Sequence, residues 1–192
     1  GSPVTITIFR KTFKVPKEFT IVRDIIKVRS VVSKLYQNNI GYIKIRSFSK
    51  NTSSGLDKAL EEFRGNGITK LILDVRNNPR GLLNQAVEVT DRFLNRENLI
   101  VYTKGRSDEQ NMRFTSHDKV AGVSYPMIVL VNGGSASASE IVAGALQDLG
   151  RAVILGTQTF GKGSVQTIIP LSDGSALRLT TARYYTPSGR VI

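Results

Sequence analysis

The chain contains no cysteine and no tryptophan, and only one histidine, in 192 residues. The missing cysteine excludes disulfides, thiolate metal ligands and thiol nucleophiles. A single histidine cannot build a histidine cage, so no metal is expected. No apolar run approaches the ~18–20 residues that cross a bilayer. Acidic residues are scarce too: 15 Asp+Glu stand against 27 Lys+Arg, a net charge of +12. Such a charge suits nucleic acid or an anionic surface. The basic residues are scattered, however, and interleaved with acids, as where Lys58 and Arg64 flank Glu61 and Glu62, and no run of five occurs. They read as a solvated basic surface, and no nucleic-acid partner is expected. What is present is 40% apolar residues, enough for a real core. At this length one domain is the prior, with room for at most a fragment of another.

Along the chain, residues 4–10 alternate apolar and polar as a strand, with further extended pieces at 13–15 and 19–26. Residues 1–30 therefore read as loose strands without a helix of their own. Residues 41–48 form another alternating strand. Leu56, Ala59, Leu60 and Phe63 fall at helical spacing, with Ser53 or Ser54 to cap the start and Gly65 or Gly67 to end it. Residues 68–75 carry a continuous apolar centre, the mark of a strand buried on both faces. A second helix is expected over 82–95, a strand over 99–103, and an exposed polar excursion over 105–122. Residues 126–131 make the most apolar strand, followed by a helix over 140–149 and a short strand over 152–155. Segments 165–171 and 176–185 flank the turn Ser172-Asp173-Gly174 as a hairpin. The alternation predicts an α/β fold: a layered core with a mostly parallel sheet flanked by helices, plus short N-terminal strands.

Sheets of this kind place their sites beyond the carboxyl ends of strands, and three loops there have unusual composition. After Val131 the chain runs Asn132-Gly133-Gly134 into a small-residue helix start bearing Ser135, Ser137 and Ser139. Glycines allow a sharp turn, and the helix N-terminus offers free N–H groups for an oxyanion. A serine held there suits a nucleophile elbow, although three N-caps explain the pattern as well. A serine nucleophile needs a base. The candidates are His117, in a polar loop-like segment, and Lys162, set between Gly161 and Gly163. A lysine serves as a base only where its surroundings favour the neutral form. The loop after Val75 carries Asp74 and Arg76, two apart on a strand and so on one face, able to pair and brace a neighbouring loop.

At these loops the sequence resembles the carboxyl-terminal processing (tail-specific) serine proteases. The resemblance rests on Leu73-Asp74-Val75-Arg76-Asn77-Asn78-Pro79, on the run from Val131 to Asp148, on the run from Gly156 to Gln166, and on the run from Arg178 to Gly189. It implies that Ser137 is the nucleophile and Lys162, 25 residues on, the general base. Gln166 would orient the lysine, and Glu140, Asp74 and Arg76 would support the site. The oxyanion would be held by the Ala138 N–H and by an N–H of the Pro79-Arg80-Gly81 turn. The resemblance further implies a ClpP/crotonase-like spiral, protein or peptide substrates, an acyl-enzyme, no cofactor, and an extracytoplasmic location. A homo-oligomer is left open.

Two departures from the family pattern set further expectations. The family usually has two glycines after this proline, and here the first is Arg80. If that position requires a positive φ, arginine resists it, and the oxyanion hole is misformed or Ser137 Oγ lies out of reach of Lys162 Nζ. The alternative function is then a resting or inactive peptide-binding core. The family also commonly carries a PDZ domain that captures substrate C-termini. Residues 1–30 match at most its last strands and a linker, which leaves 31–192 as a Ser/Lys protease core truncated at its C-terminus.

Overall fold

The computed structural model describes residues 1–25, 29–117 and 125–192. The ends of two expected segments, the extended piece over 19–26 and the excursion over 105–122, lie outside the described residues. The architecture is a mixed α/β fold. Strands β1 (Pro3–Ile8) and β2 (Lys17–Val22) form an antiparallel hairpin, a separate two-stranded sheet. Residues 13–15, expected as extended, fall instead in the turn between them. Neither strand contributes to the buried apolar core.

The main sheet has five strands in the order β3-β4-β5-β8-β9. Strand β3 (Val31–Tyr36) runs antiparallel to β4 (Ile40–Ile45), through a turn in which Asn38 and Asn39 both take left-handed φ. Asparagine tolerates that region better than other side-chain-bearing residues, which makes the tight reversal cheap. Strands β4, β5 (Lys70–Asp74), β8 (Met127–Val131) and β9 (Val153–Gly156) pair in parallel. The inward positions of these strands, Ile43, Ile45, Leu71, Leu73, Val129 and Val131, are buried. They meet the apolar stripe of helix α1 (Thr52–Gly65), whose Leu56, Ala59, Leu60 and Phe63 are buried at the expected spacing. The helix begins before Ser53 and Ser54, after Asn51, and Gly67 follows its end with φ +64°.

Helix α2 (Leu83–Asp91) is shorter than expected. It breaks into a turn in which Phe93 N–H and Leu94 N–H reach Thr90 O and Asp91 O, so Leu94 is buried without being helical. Helix α3 (Ala138–Asp148) packs against α2 and β9.

Strand β6 (Leu99–Gly105) does not join the parallel sheet that the alternation suggests. It pairs with β7 (Arg113–Thr115) and β11 (Ala176–Tyr185) in a second, antiparallel sheet ordered β10-β11-β6-β7, where β10 is Ser164–Pro170. Strand β6 packs on α2 and α3, and α3 also packs on β9, so α3 joins the two sheets. The expected hairpin is β10 and β11, with a bulge between Val165 and Gln166. Among the described residues no helix is long and apolar enough to cross a membrane.

Candidate active site

The site is built where β8 turns into α3. Strand β8 is apolar throughout, so it stays in the sheet to Val131. Asn132-Gly133-Gly134 then reverses the chain sharply. Gly134 is required there by close approach, because a Cβ would sit 2.8 Å from Asn77 Oδ1. Asn132 and Asn77 exchange hydrogen bonds: Asn77 N–H donates to Asn132 Oδ1 (2.9 Å) and Asn132 Nδ2 donates to Asn77 Oδ1 (3.0 Å). This stitches the loop after β5 to the loop after β8.

The three serines separate cleanly. Ser135 is fully buried; its Oγ donates to Val75 O at 2.9 Å and accepts from Asn132 N–H at 3.0 Å. Ser139 is fully buried and its Oγ donates to Asn78 O at 2.8 Å. Both hydroxyls hold the loops together. Ser137 is partly exposed and stands at the start of α3 with φ 56° and ψ −109°. That backbone conformation is costly for a residue with a side chain, on the order of 1–3 kcal/mol, and survives only where the surroundings enforce it.

Glu140 is the main enforcer. It is buried, and its carboxylate accepts three backbone N–H groups. Oε2 takes those of Ser137 (2.8 Å) and Lys162 (2.9 Å), and Oε1 takes that of Gly161 (2.6 Å). One side chain thus fixes both the strained serine and the Gly161-Lys162-Gly163 loop. Phe160 N–H adds a bond to Ser135 O at 3.0 Å.

Asn78 plays the same part on the other side. Its carbonyl accepts from Ala136 N–H (3.1 Å) and Ser139 Oγ, and its Nδ2 donates to Ile45 O (3.0 Å). The 79–81 turn is thereby held beside the start of α3.

Ser137, Lys162 and Gln166 line one cleft of about 560 Å³, together with Pro79, Arg80, Gly81, Ala136, Phe160, Ser164, Arg178 and Tyr184. Among the described residues no hydrogen bond joins the side chains of Ser137, Lys162 and Gln166 to one another. Ala138 is buried directly behind the serine, at the first helical position. His117 is exposed, follows β7 and lines no part of this cleft; its backbone N–H donates to Asp91 Oδ1.

Arg80 does not behave as feared. The described non-glycine residues with positive φ are Asn38, Asn39, Asn77, Glu97 and Ser137, and Arg80 is not among them. The position asks for no left-handed backbone, so the arginine is accommodated without that strain. The following glycine is the demanding one. A Cβ on Gly81 would lie 2.2 Å from Phe48 Cβ, because Gly81 bridges Phe48 and Leu82 N–H donates to Phe48 O.

Asp74 and Arg76 pair as expected, through Nε–Oδ1 (3.0 Å) and Nη2–Oδ2 (2.8 Å). Tyr42 Oη (2.7 Å) and Lys44 Nζ (3.3 Å) also donate to Asp74 Oδ2. Burial alone would raise the Asp74 pKa, but the hydrogen bonds from Arg76 and Tyr42 outweigh it and hold the carboxyl well below its usual range. The Tyr42 hydroxyl is pushed up to about 12, first by burial and then by its bond to Asp74. Lys44 Nζ also reaches Arg76 O at 3.3 Å. The cluster anchors the exit of β5, from which the 77–81 turn hangs, and does not itself line the cleft.

Sequence reasoning missed Asn78, Phe160, Arg178 and Tyr184. The doubled Asn77-Asn78 before a proline was a usable signal for a loop built on side-chain hydrogen bonds. Arg178 and Tyr184 come from a distant strand; the run from Arg178 to Gly189 marks the family, but nothing local in it marks these two as facing the cleft.

The sequence profile of Peptidase family S41 matches residues 39–192. A carboxy-terminal-processing protease of Bartonella bacilliformis is 52% identical over 100% of this chain and 45% of its own length. A carboxyl-terminal-processing protease of Synechocystis is 41% identical over 97% of this chain and 44% of its own. Among solved structures, a photosystem II D1 C-terminal processing protease superposes with a TM-score of 0.76 at 33% identity, over 92% of this chain and 48% of that one. The chain spans less than half the length of these relatives. It belongs to Peptidase family S41.

Proposed function

We propose that this chain carries the catalytic centre of a C-terminal processing serine endopeptidase working through a Ser137/Lys162 dyad. The observation that supports it best is the elbow. Of three neighbouring serines, Ser135 and Ser139 are buried with their hydroxyls donating to distant loop carbonyls, whereas Ser137 is partly exposed, caps only its own helix start with Glu140, and shares a cleft with Lys162.

In this reading Ser137 Oγ attacks the peptide carbonyl while neutral Lys162 accepts its proton. The Ala138 N–H and an N–H of the 79–81 turn receive the oxyanion; Leu82, not Arg80 or Gly81, donates to Phe48 O beside that turn. Collapse expels the amine, which takes the proton from Lys162 and leaves an acyl-enzyme. Lys162 then activates the water that hydrolyses it. The dyad hydrogen bond, open in the free chain, closes when substrate excludes water from the cleft. Gln166, on the same cleft, orients the lysine amine. Asp74 and Arg76 act at a distance, by fixing the strand end that carries the oxyanion turn.

The wider reading follows the family. The core over 31–192 takes a ClpP/crotonase-like arrangement, residues 1–30 close a PDZ domain, the substrates are proteins, and the enzyme works outside the cytoplasm.

A fluorophosphonate probe tests the centre. Mass spectrometry is expected to find the adduct on Ser137, with no adduct in Ser137→Ala. Lys162→Ala and Lys162→Arg should both lose adduct formation and peptide hydrolysis, since arginine stays protonated. Adduct formation at Ser135 or Ser139, or full hydrolysis by Lys162→Arg, would refute the dyad.

A further inference from the structure

The cleft around Ser137 is charged with one sign. Besides Lys162 it is lined by Arg80, from the 79–81 turn, and by Arg178, from β11, and among the described residues no aspartate or glutamate lines it. Arg178 and Tyr184 both reach the cleft from β11, on either side of the bulge that the register places at Thr181. Both arginines are exposed, and among the described residues neither has a carboxylate partner. Three arginines elsewhere in the fold do have one: Arg76 is held by Asp74, Arg92 by Asp57 and Arg190 by Asp148.

An unpaired surface arginine is unremarkable by itself. Here two of them arrive from separate elements on the cleft that carries the candidate nucleophile, and Arg80 occupies a position where the backbone would accept glycine equally well. A guanidinium presents a planar fork of donors that matches a carboxylate. Like charges gathered on a concave surface also concentrate oppositely charged ligands there.

We propose that Arg80 and Arg178 form a carboxylate clamp, and that the preferred substrates of this cleft are peptides with a negative charge close to the scissile bond. The carboxylate comes from an aspartate or glutamate side chain or from a nearby free C-terminus. The proposal rests on the reading of this cleft as the peptide site. Phe160, largely exposed and lining the same cleft, supplies the apolar contact that neutral peptide segments would use.

The test is binding, measured without turnover. Fluorescence anisotropy on the Ser137→Ala chain is run with labelled alanine-valine peptides. In these, one aspartate is walked along the sequence and compared with asparagine at the same place, and each peptide is made as free acid and as amide. The charged member of a pair should bind roughly 3- to 30-fold tighter at low salt, the range spanned by exposed ion pairs and charge-assisted hydrogen bonds. That preference should vanish in Arg80→Gln/Arg178→Gln and persist in part in Arg178→Lys, with melting curves checking that each variant is folded. An effect in the aspartate arm assigns the clamp to a side chain, and one in the free-acid arm to a terminus; either supports it. Equal binding of charged and neutral peptides, no binding of either, or a preference that survives the double substitution overturns it. Hydrolysis of the neutral peptide by the unmodified chain reports separately on the peptidase reading. Turnover without acid preference removes only the clamp, and acid-selective binding without turnover removes only the peptidase.

Discussion

At Ser137 a backbone strain of a few kcal/mol is carried by a ring of hydrogen bonds, each with a traceable donor. Glu140 is the residue on which most of them converge. An amide at 140 keeps one acceptor oxygen where three N–H groups need two, and it turns a donor toward backbone donors. Glu140→Gln is therefore expected to destabilise the fold by about 1–3 kcal/mol. It should also lower kcat more than it changes KM, because the Lys162 loop loses its tether while the cleft walls remain. Hydrogen exchange at Gly161 and Lys162 checks this: protection unchanged from the parent chain would show the tether to be dispensable. Ser135→Ala and Ser139→Ala are expected to act on stability instead: Ser135→Ala by about 1–3 kcal/mol, since Val75 O loses the hydroxyl donor, and Ser139→Ala by about 0.5–1.5 kcal/mol, since Asn78 O keeps the Ala136 N–H. The folded fraction should keep substantial activity, measured by comparing active-site titre with turnover. The sequence alone left the three serines equivalent. The groups that tell them apart, Val75 O and Asn78 O, lie some sixty residues upstream and are brought in only by the parallel pairing of β5 with β8.

Among the elements, those with strong periodicity were legible: α1, β5, β8 and the β10-β11 hairpin follow directly from spacing, apolar runs and a turn signature. Those decided by partners were not. Strand β3 reads Val-Val-Ser-Lys-Leu-Tyr without clean alternation and stays no more than half buried, so nothing local marks it; its pairing to β4 across Asn38-Asn39 does. Strand β6 is apolar enough for either sheet, and its place is set by β11, eighty residues later in the chain. The end of α3 illustrates a long-range tie that has a pH signature. Asp148 accepts from Ser188 N–H (2.9 Å) and Ser188 Oγ (2.6 Å) and pairs with Arg190, which fastens the segment after β11 to the helix. Burial would raise its pKa, but the bonds from Ser188, Thr186 and Arg190 prevail and bring it down to about 2. A carboxyl depressed in the folded state stabilises above its unfolded value and loses that stabilisation as pH falls through the folded one. The contribution, about 1–2 kcal/mol, should thus be complete above about pH 4 and drain away toward pH 2. Denaturant titrations of the parent chain and Asp148→Asn should differ at pH 6 and converge near pH 2, and a gap that stays constant across that window would remove Asp148 from the account.

For the whole molecule the deciding quantity is the charge imbalance of +12. Two electrostatic effects oppose each other. Surface ion pairs such as Arg92–Asp57 and Arg190–Asp148 stabilise the fold, each by roughly 0.2–1 kcal/mol when exposed. Repulsion among the unmatched cations destabilises the compact state, since folding brings charges closer than the unfolded chain does. Salt weakens both, but not equally. Among the described residues the surface pairs are few and close, and Asp74, the acidic group with most donors, is buried beneath Arg76, Tyr42 and Lys44, where screening reaches poorly. The repulsion is spread over the whole surface at separations comparable with the screening length of ~10 Å at 0.1 M, so it is the term that salt removes. The melting temperature should accordingly rise by a few degrees between about 10 mM and 200 mM sodium chloride, a range in which the screening length falls about fourfold. Urea at fixed salt gives an independent reading of the same free-energy difference. A melting temperature that falls over this range would mean that the few ion pairs outweigh the excess of cations, and that the basic surface costs the fold nothing.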